Sequence, residues 1–394
     1  MTTGASAGAY FNRVLSVQMA LIWLIIGIAS ALHGCATTGE PRQGGLFSYN
    51  PSAYERRLDE RLQFLDKTYI VVRVFYATDR NRTQSTKPSE FFGIERSELS
   101  YGTCEVSIPK DHRMGAIEAP SMWRLQFRED PEKHVVLLSV TPAEKHQYFT
   151  ELVAQIRTSA GKNAFVFVHG YNVTFEDAAK RTAQIAYDLG FDGAPVLYSW
   201  PSQGTFEGYP VDETNIEWTQ AHLRRFLDDF VVHTTADNLY LIAHSMGNRA
   251  LVRVFSTLVS NNPALRQRFR AVILTAPDID AKVFRRDIAP QIVGERSSVT
   301  LYVSAEDKAL LASKKFHGYP RAGDASDGLV IVPGIDTIDA TGLDTSFLKH
   351  SYFAEVRSVL ADIFYLIREG KRPEQRFALE PVNIAAGRYW KFKR

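Results

Sequence analysis

Residues 239–259 read LYLIAHSMGNRALVRVFSTLV, and the fold turns on them. Leu239, Tyr240, Leu241, Ile242 and Ala243 form an unbroken apolar run, which predicts a strand buried on both faces. Residues 248–259 then read as a helix. Between the two stands Ala243-His244-Ser245-Met246-Gly247. A serine at the centre of a sharp strand-to-helix turn has a strained backbone, and only small side chains fit two residues before and two after it. Ala243 and Gly247 meet that demand, with alanine where glycine is more usual. Such a turn lifts the Ser245 hydroxyl above the carboxyl edge of a sheet, beside a helix N-terminus whose dipole favours developing negative charge. The backbone N–H of Met246 faces the same space. A serine that merely caps a helix shares part of this pattern, but the strand before it and the helix after it favour a nucleophile.

The alternation continues on both sides. Residues 164–168 (AFVFV), 195–199 (PVLYS), 271–274, 299–303 and 329–332 predict further strands. Helices are expected around Tyr148, Leu152 and Ile156, from Thr174 (with Asp177 as a capping box) to before Gly190, and around Leu223, Phe226 and Phe230. A last helix carries Phe353, Val356, Leu360, Ile363 and Ile367. Strands alternating with helices predict an α/β fold, a mostly parallel sheet covered on both faces, with its catalytic domain over residues 141–370. Upstream, residues 69–76, 105–108 and 135–140 are strand candidates and residues 78–88 a polar loop. Residues 67–140 are expected to extend the same sheet, a small separate lobe being the alternative.

Two loops complete the candidate site. After AFVFV comes His169-Gly170-Tyr171-Asn172, where Gly170 permits close backbone approach and the Tyr171 N–H becomes a second oxyanion donor beside Met246. His169 precedes Ser245, whereas the catalytic base of such a fold comes last in the chain, so His169 reads as a support for the loop. Residues 304–307 (SAED) place Asp307 at a strand's carboxyl end, and His350 follows the next strand, giving the order Ser245, Asp307, His350. Asp278, Asp280 and Glu306 compete for the acid, and His317 for the base. Trp200, in the loop after PVLYS, either lines an acyl pocket or sits at the edge of the core.

With 394 residues, 45% hydrophobic and 23% charged, the chain can bury a large core. A formal net charge of +2 gives no global field toward nucleic acid. Its two cysteines, Cys35 and Cys104, form no disulfide framework and no zinc spacing, and no metal or organic cofactor is implied. Residues 371–394 end in a basic-aromatic tail around Arg388, Trp390, Lys391, Phe392 and Lys393, read as a solvated end whose aromatics pack on the domain.

The N-terminus reads as a targeting segment, residues 1–35. Residues 14–32 are apolar and uncharged after Arg13, and Leu32-His33-Gly34-Cys35 follows. A cysteine after a small residue at the end of such a run is similar to a bacterial lipoprotein signal, with Cys35 lipidated and His33 an unusual neighbour. An uncleaved membrane helix is the alternative. Either one predicts a membrane anchor in the bacterial envelope with the catalytic domain outside the cytoplasm. Residues 36–66 are expected to be a linker and a short charged helix.

The blocks VFYATDRNR (74–82), YGTCEVSIP (101–109), HGYN (169–172), SWPSQG (199–204), AHSMGNR (243–249), APDID (276–280), SAEDKAL (304–310) and HSYF (350–353) stand in order along the chain. Together they resemble an uncharacterised bacterial family of α/β-hydrolase-like proteins. The resemblance implies the α/β-hydrolase fold, Ser245, Asp307 and His350 as triad, and in some members a lipoprotein signal. It brings no substrate. The chemistry expected is hydrolysis of a small-molecule or lipid-like carboxylic ester through an acyl-serine. Amide cleavage and acyl transfer use the same triad. A non-catalytic envelope protein on the same scaffold is the alternative from another class, and it has no need to keep Ser245, His350 and Gly170.

Overall fold

The computed structural model describes residues 68–120, 126, 128–294, 297–343 and 357–393, all within the compact unit Arg61–Arg394. The targeting segment with Cys35, the linker and short helix, and His350 lie outside the described residues. Among the described residues no helix is long and apolar enough to cross a membrane.

One eleven-stranded sheet carries the molecule, in the order β10-β11-β9-β8-β7-β6-β4-β5-β1-β2-β3. Its parallel centre is β4 (Asn163–Val168), β5 (Ala194–Ser199), β6 (Asn238–His244), β7 (Phe269–Thr275) and β8 (Ser298–Val303), flanked by β9 (Ile335–Asp339) and β1 (Tyr69–Arg82). Two antiparallel strands, β2 (Phe92–Pro109) and β3 (Val136–Ala143), extend it beyond β1.

Both faces are covered, because alternate residues of each central strand feed different cores. In β4, Ala164, Val166 and Val168 face one cluster with Tyr198, Leu241 and Leu274. Phe165 and Phe167 face the other with Leu197, Tyr240 and Ile273. The first cluster is closed by α1 (Lys145–Thr158), α3 (Tyr209–Trp218), α4 (Gln220–His233) and α5 (Gly247–Asn261). The second is closed by α2 (Phe175–Asp188) and α7 (Arg357–Glu369). Helix α2 opens on a capping box: the Thr174 hydroxyl accepts from the Asp177 N–H, and the Asp177 carboxylate accepts from the Thr174 N–H. The remaining long helix, α6 (Lys308–His317), follows β8, with Asp307 as its N-cap and Gly318 as its left-handed C-cap.

Three expectations are corrected. The polar residues after Ala77 are not a loop: β1 runs on to Arg82, paired with β2 through two register shifts. The apolar residues 329–332 are not a strand either. They turn back over the core, with Val330 buried, and the Ile335 N–H donates to the Val332 carbonyl across Pro333 and a left-handed Gly334. The strand is the next segment, Ile335–Asp339, paired with β8. Finally, the basic-aromatic end packs its aromatics on the domain as expected, but within the sheet and not as a tail. It folds as the hairpin β10 (Leu379–Ile384) and β11 (Gly387–Phe392), with β11 parallel to β9 and Trp390 and Phe392 buried. Strand alternation puts Trp390 and Phe392 on one face and Tyr389 and Lys391 on the other, a period of two that composition hides.

Candidate active site

The carboxyl ends of β4, β5, β6, β7 and β8 share one edge of the sheet, where loops of parallel sheets gather ligand-handling residues. Ser245 stands there, on the turn between β6 and α5, with φ +52°. A serine in this left-handed region costs on the order of 1–3 kcal/mol and persists only where its surroundings impose it. Here they do. The Ser245 N–H donates to the Thr275 carbonyl (2.9 Å), and the Ser245 carbonyl accepts from the Asn248 N–H (3.1 Å) and Asn248 Nδ2 (3.0 Å). Gly247 passes so close to β4 that a Cβ would lie 2.3 Å from the His169 carbonyl oxygen. A Cβ on Gly170 would lie 2.9 Å from the Ser245 Cβ. The two glycines therefore bring the loop after β4 against the serine turn.

His169 is buried and serves that loop. Its Nδ1 lies 2.7 Å from the Gly170 carbonyl and its Nε2 3.2 Å from Ser199 Oγ. Burial, with the Arg80 charge beside it, pushes its pKa down to about 3, so it is neutral across the physiological range. Trp200 sits within the core and not at its edge. It is fully buried, stacks on the His169 ring at 5.1 Å and 12°, and donates its indole N–H to the His169 carbonyl (2.8 Å).

Two groups that sequence reasoning passed over hold the loops. Arg80, on the overlooked end of β1, is buried and donates to Ser199 Oγ (2.9 Å), the Ser202 carbonyl (3.0 Å) and the Val173 carbonyl (2.7 Å). Burial lowers its pKa to about 10, which leaves it cationic at neutral pH. Asp212, on α3, accepts from Ser202 Oγ (2.5 Å), the Gln203 N–H (2.8 Å) and the Asn172 N–H (3.2 Å). Asn172 has φ +56°, so this bond fixes the backbone directly after Tyr171. Arg80 stands inside the VFYATDRNR block, but nothing local in the sequence shows that its partners lie on the loops after β4 and β5.

The carboxylates sort themselves by what they already hold. Asp278 is spent: Ser313 Oγ (2.6 Å) and Arg321 Nε (2.7 Å) donate to Oδ1, and the Tyr209 hydroxyl (2.6 Å) and Arg249 NH2 (2.9 Å) to Oδ2. Although burial opposes ionisation, Arg249 and Arg321 hold it well below the usual carboxylate range. Asp280 is placed as the N-cap of the short helix Ala281–Val283, accepting from the Lys282 and Val283 N–H groups. Asp307 is buried at the head of α6, and its Oδ1 accepts from the Ala309 and Leu310 N–H groups (3.0 Å each). The Tyr171 phenol lies close enough to Asp278, Asp307 and Asp212 for their charges to add to the burial that raises its pKa. His317, the competing base, closes α6 and contacts Glu213 (2.8 Å) and Ser313. Met246 is buried at the head of α5. Among the described residues no cluster of His, Cys, Asp and Glu could hold a metal ion.

The model of one protein family, described as alpha/beta hydrolase of unknown function (DUF900), matches residues 144–369. No curated protein matches the chain. Solved structures similar to it include an esterase B from Lactobacillus rhamnosis, at 12% identity over 77% of this chain and 87% of that one, with a TM-score of 0.29. A poly(3-hydroxybutyrate) depolymerase from Bordetella parapertussis matches at 12% identity over 80% and 94%, with a TM-score of 0.31. A thermostable esterase from Pseudomonas putida matches at 12% over 80% and 90%, with a TM-score of 0.28.

Proposed function

The chain belongs to the family of alpha/beta hydrolases of unknown function, and from that premise we propose that it is a serine hydrolase cleaving carboxylic esters through an acyl-enzyme on Ser245. The observation that carries the reading is the strained serine turn, φ +52°, pressed against Gly170 at the carboxyl edge of the sheet. A backbone strain of this kind is maintained where a nucleophile must be presented.

In the proposed reaction the His350 imidazole takes the Ser245 proton as Oγ attacks the ester carbonyl. The oxyanion receives hydrogen bonds from the Met246 and Tyr171 amides. Collapse breaks the carbon–oxygen bond, and the imidazolium returns its proton to the leaving alcohol. Water then attacks the acyl-serine, gives its proton to His350, and the acid leaves as Ser245 is reprotonated. Asp307 orients His350 and balances the imidazolium charge. The occupation of Asp278 by two arginines, a tyrosine and a serine supports Asp307 as the acid. A neutral, buried His169 supports His350 as the base.

A fluorophosphonate probe should label the wild type and not Ser245→Ala, and the variant should lose on the order of 10⁴-fold or more in kcat on p-nitrophenyl butyrate. Labelling that survives the substitution would remove Ser245 from the mechanism.

We also propose that Cys35 carries lipid after cleavage of residues 1–34 and anchors the enzyme in the bacterial envelope, outside the cytoplasm. Cys35→Ser should then accumulate as a slower-migrating precursor that incorporates no labelled fatty acid, while Cys104→Ser behaves as wild type. Intact mass spectrometry finding Met1 on the mature protein would replace the lipid anchor with an uncleaved membrane helix.

A further inference from the structure

Beside the candidate site lies a cavity of about 260 Å³, bounded by Tyr171, Phe206 and Tyr209 on one side and by Ala309, Ala312 and Phe316 of α6 on the other. It adjoins the reacting groups at two points: Tyr171 directly follows the glycine that abuts Ser245, and Ala309 lies two residues beyond Asp307.

Its walls are apolar by construction. Among the described residues no charged side chain lines it. Two of its lining hydroxyls, those of Tyr209 and Ser313, donate into the buried Asp278 carboxylate (2.6 Å each) and so turn their polar ends away. Tyr171 and Tyr209 meet edge to face at 5.1 Å, and Tyr209 meets Phe316 at 6.0 Å, which builds an aromatic wall. Ala309 and Ala312 are one helical turn apart on α6, and their small side chains leave the space open. At the margin, Phe206 and Phe316 stand 67% and 66% exposed, an apolar entrance that water does not favour.

Resting on the serine-hydrolase reading, we propose that this cavity is the acyl-binding pocket, and that the enzyme takes esters of uncharged, unbranched acids of short to medium chain length. The volume equals roughly nine volumes of about 30 Å³, the share of one water in the liquid. That admits a chain of about four to eight carbons and leaves the end of a long fatty acyl chain in water. An acetyl group would fill little of it, and an anionic acyl group would lose its hydration with no cationic partner among the described lining residues.

The test is a series of p-nitrophenyl esters on the full-length protein and two variants of opposite effect. The wild type should give its highest kcat/KM between butyrate and octanoate. Acetate, palmitate and the anionic succinate monoester should each be at least about tenfold lower. Ala312→Phe, which fills the cavity, should lower the octanoate-to-acetate ratio of kcat/KM by about tenfold or more, and Phe316→Ala, which widens the entrance, should move the optimum to longer chains. Opposite shifts cannot come from partial unfolding, which lowers all esters together. Ser245-dependent turnover with chain-length profiles that coincide in all three proteins overturns the pocket and leaves the hydrolase reading standing. So does a profile that follows the length of the alcohol instead of the acid. Absence of any Ser245-dependent turnover or labelling overturns both.

Discussion

Asp307 and Asp280 both cap helices that follow central strands, yet they differ in depth and neighbours. Asp307 is buried, beside the Tyr171 phenol, and its capping bonds fall on Oδ1. Asp280 caps a three-residue helix and pairs through its backbone with Arg321. Asp307→Asn should therefore reduce kcat by several orders of magnitude, on the scale of about 10⁴ known for the loss of an orienting carboxylate, whereas Asp280→Asn should cost less than about tenfold. Steady-state kinetics on one short-chain ester decides between them, and the reverse order would move the acid to the end of β7. Asparagine can still cap a helix, so neither change should unfold the protein.

At the scale of elements, the loops of the site are held by the end of a strand. Arg80 reaches three backbone or hydroxyl acceptors, at the end of β5 and on the loops after β4 and β5, and only a planar guanidinium offers donors in that spread. Arg80→Lys keeps the charge and loses the fork. It should lower kcat/KM by about tenfold or more, with the loss in kcat, because the Tyr171 and Gly170 backbone loses its brace. Arg82→Lys, whose side chain lies over the Phe91 ring, should remain within about twofold. Equal effects from both substitutions would make the contacts of Arg80 incidental. The paired strand explains why this residue escaped the sequence: residues 78–82 are polar throughout, and their strand conformation comes from the β2 ladder instead of their own propensity.

Across the whole molecule, the long connection between β2 and β3 is fastened to the far end of α2 by His112. Its side chain is buried between Glu118 (Nδ1, 2.8 Å) and Asp188 (Nε2, 3.0 Å). Burial alone would lower its pKa, but the two carboxylates outweigh it and carry it up to about 9. A folded pKa above the ordinary value of about 6.5 means the pairing stabilises fully below pH 6.5 and is lost as pH rises through 9. Urea midpoints of the wild type and His112→Gln should thus differ most near pH 6 and converge toward pH 10. A gap that stays constant across that range would mean the imidazole is not titrating there.

How much of this was legible depends on the range of the interactions. The buried strands, the helices between them, the serine turn and the Thr174 capping box rest on residues within a few positions of one another, so periodicity and small-residue spacing reveal them. The α/β class followed from that alternation. The IDTID strand was masked by a neighbouring run that is more apolar but turns away, and the final hairpin by its basic composition. Tertiary structure alone decided which carboxylate was spent. Asp278 meets Tyr209, Arg249, Ser313 and Arg321 from four separate segments. It alone decided also that Trp200 braces His169, and that Tyr171 with residues of α3 and α6 lines an apolar cavity. Those facts arise from side chains far apart in the chain converging in space, and burial then strengthens the bonds they make. Local pattern determines which elements form; packing determines which polar groups remain available for chemistry.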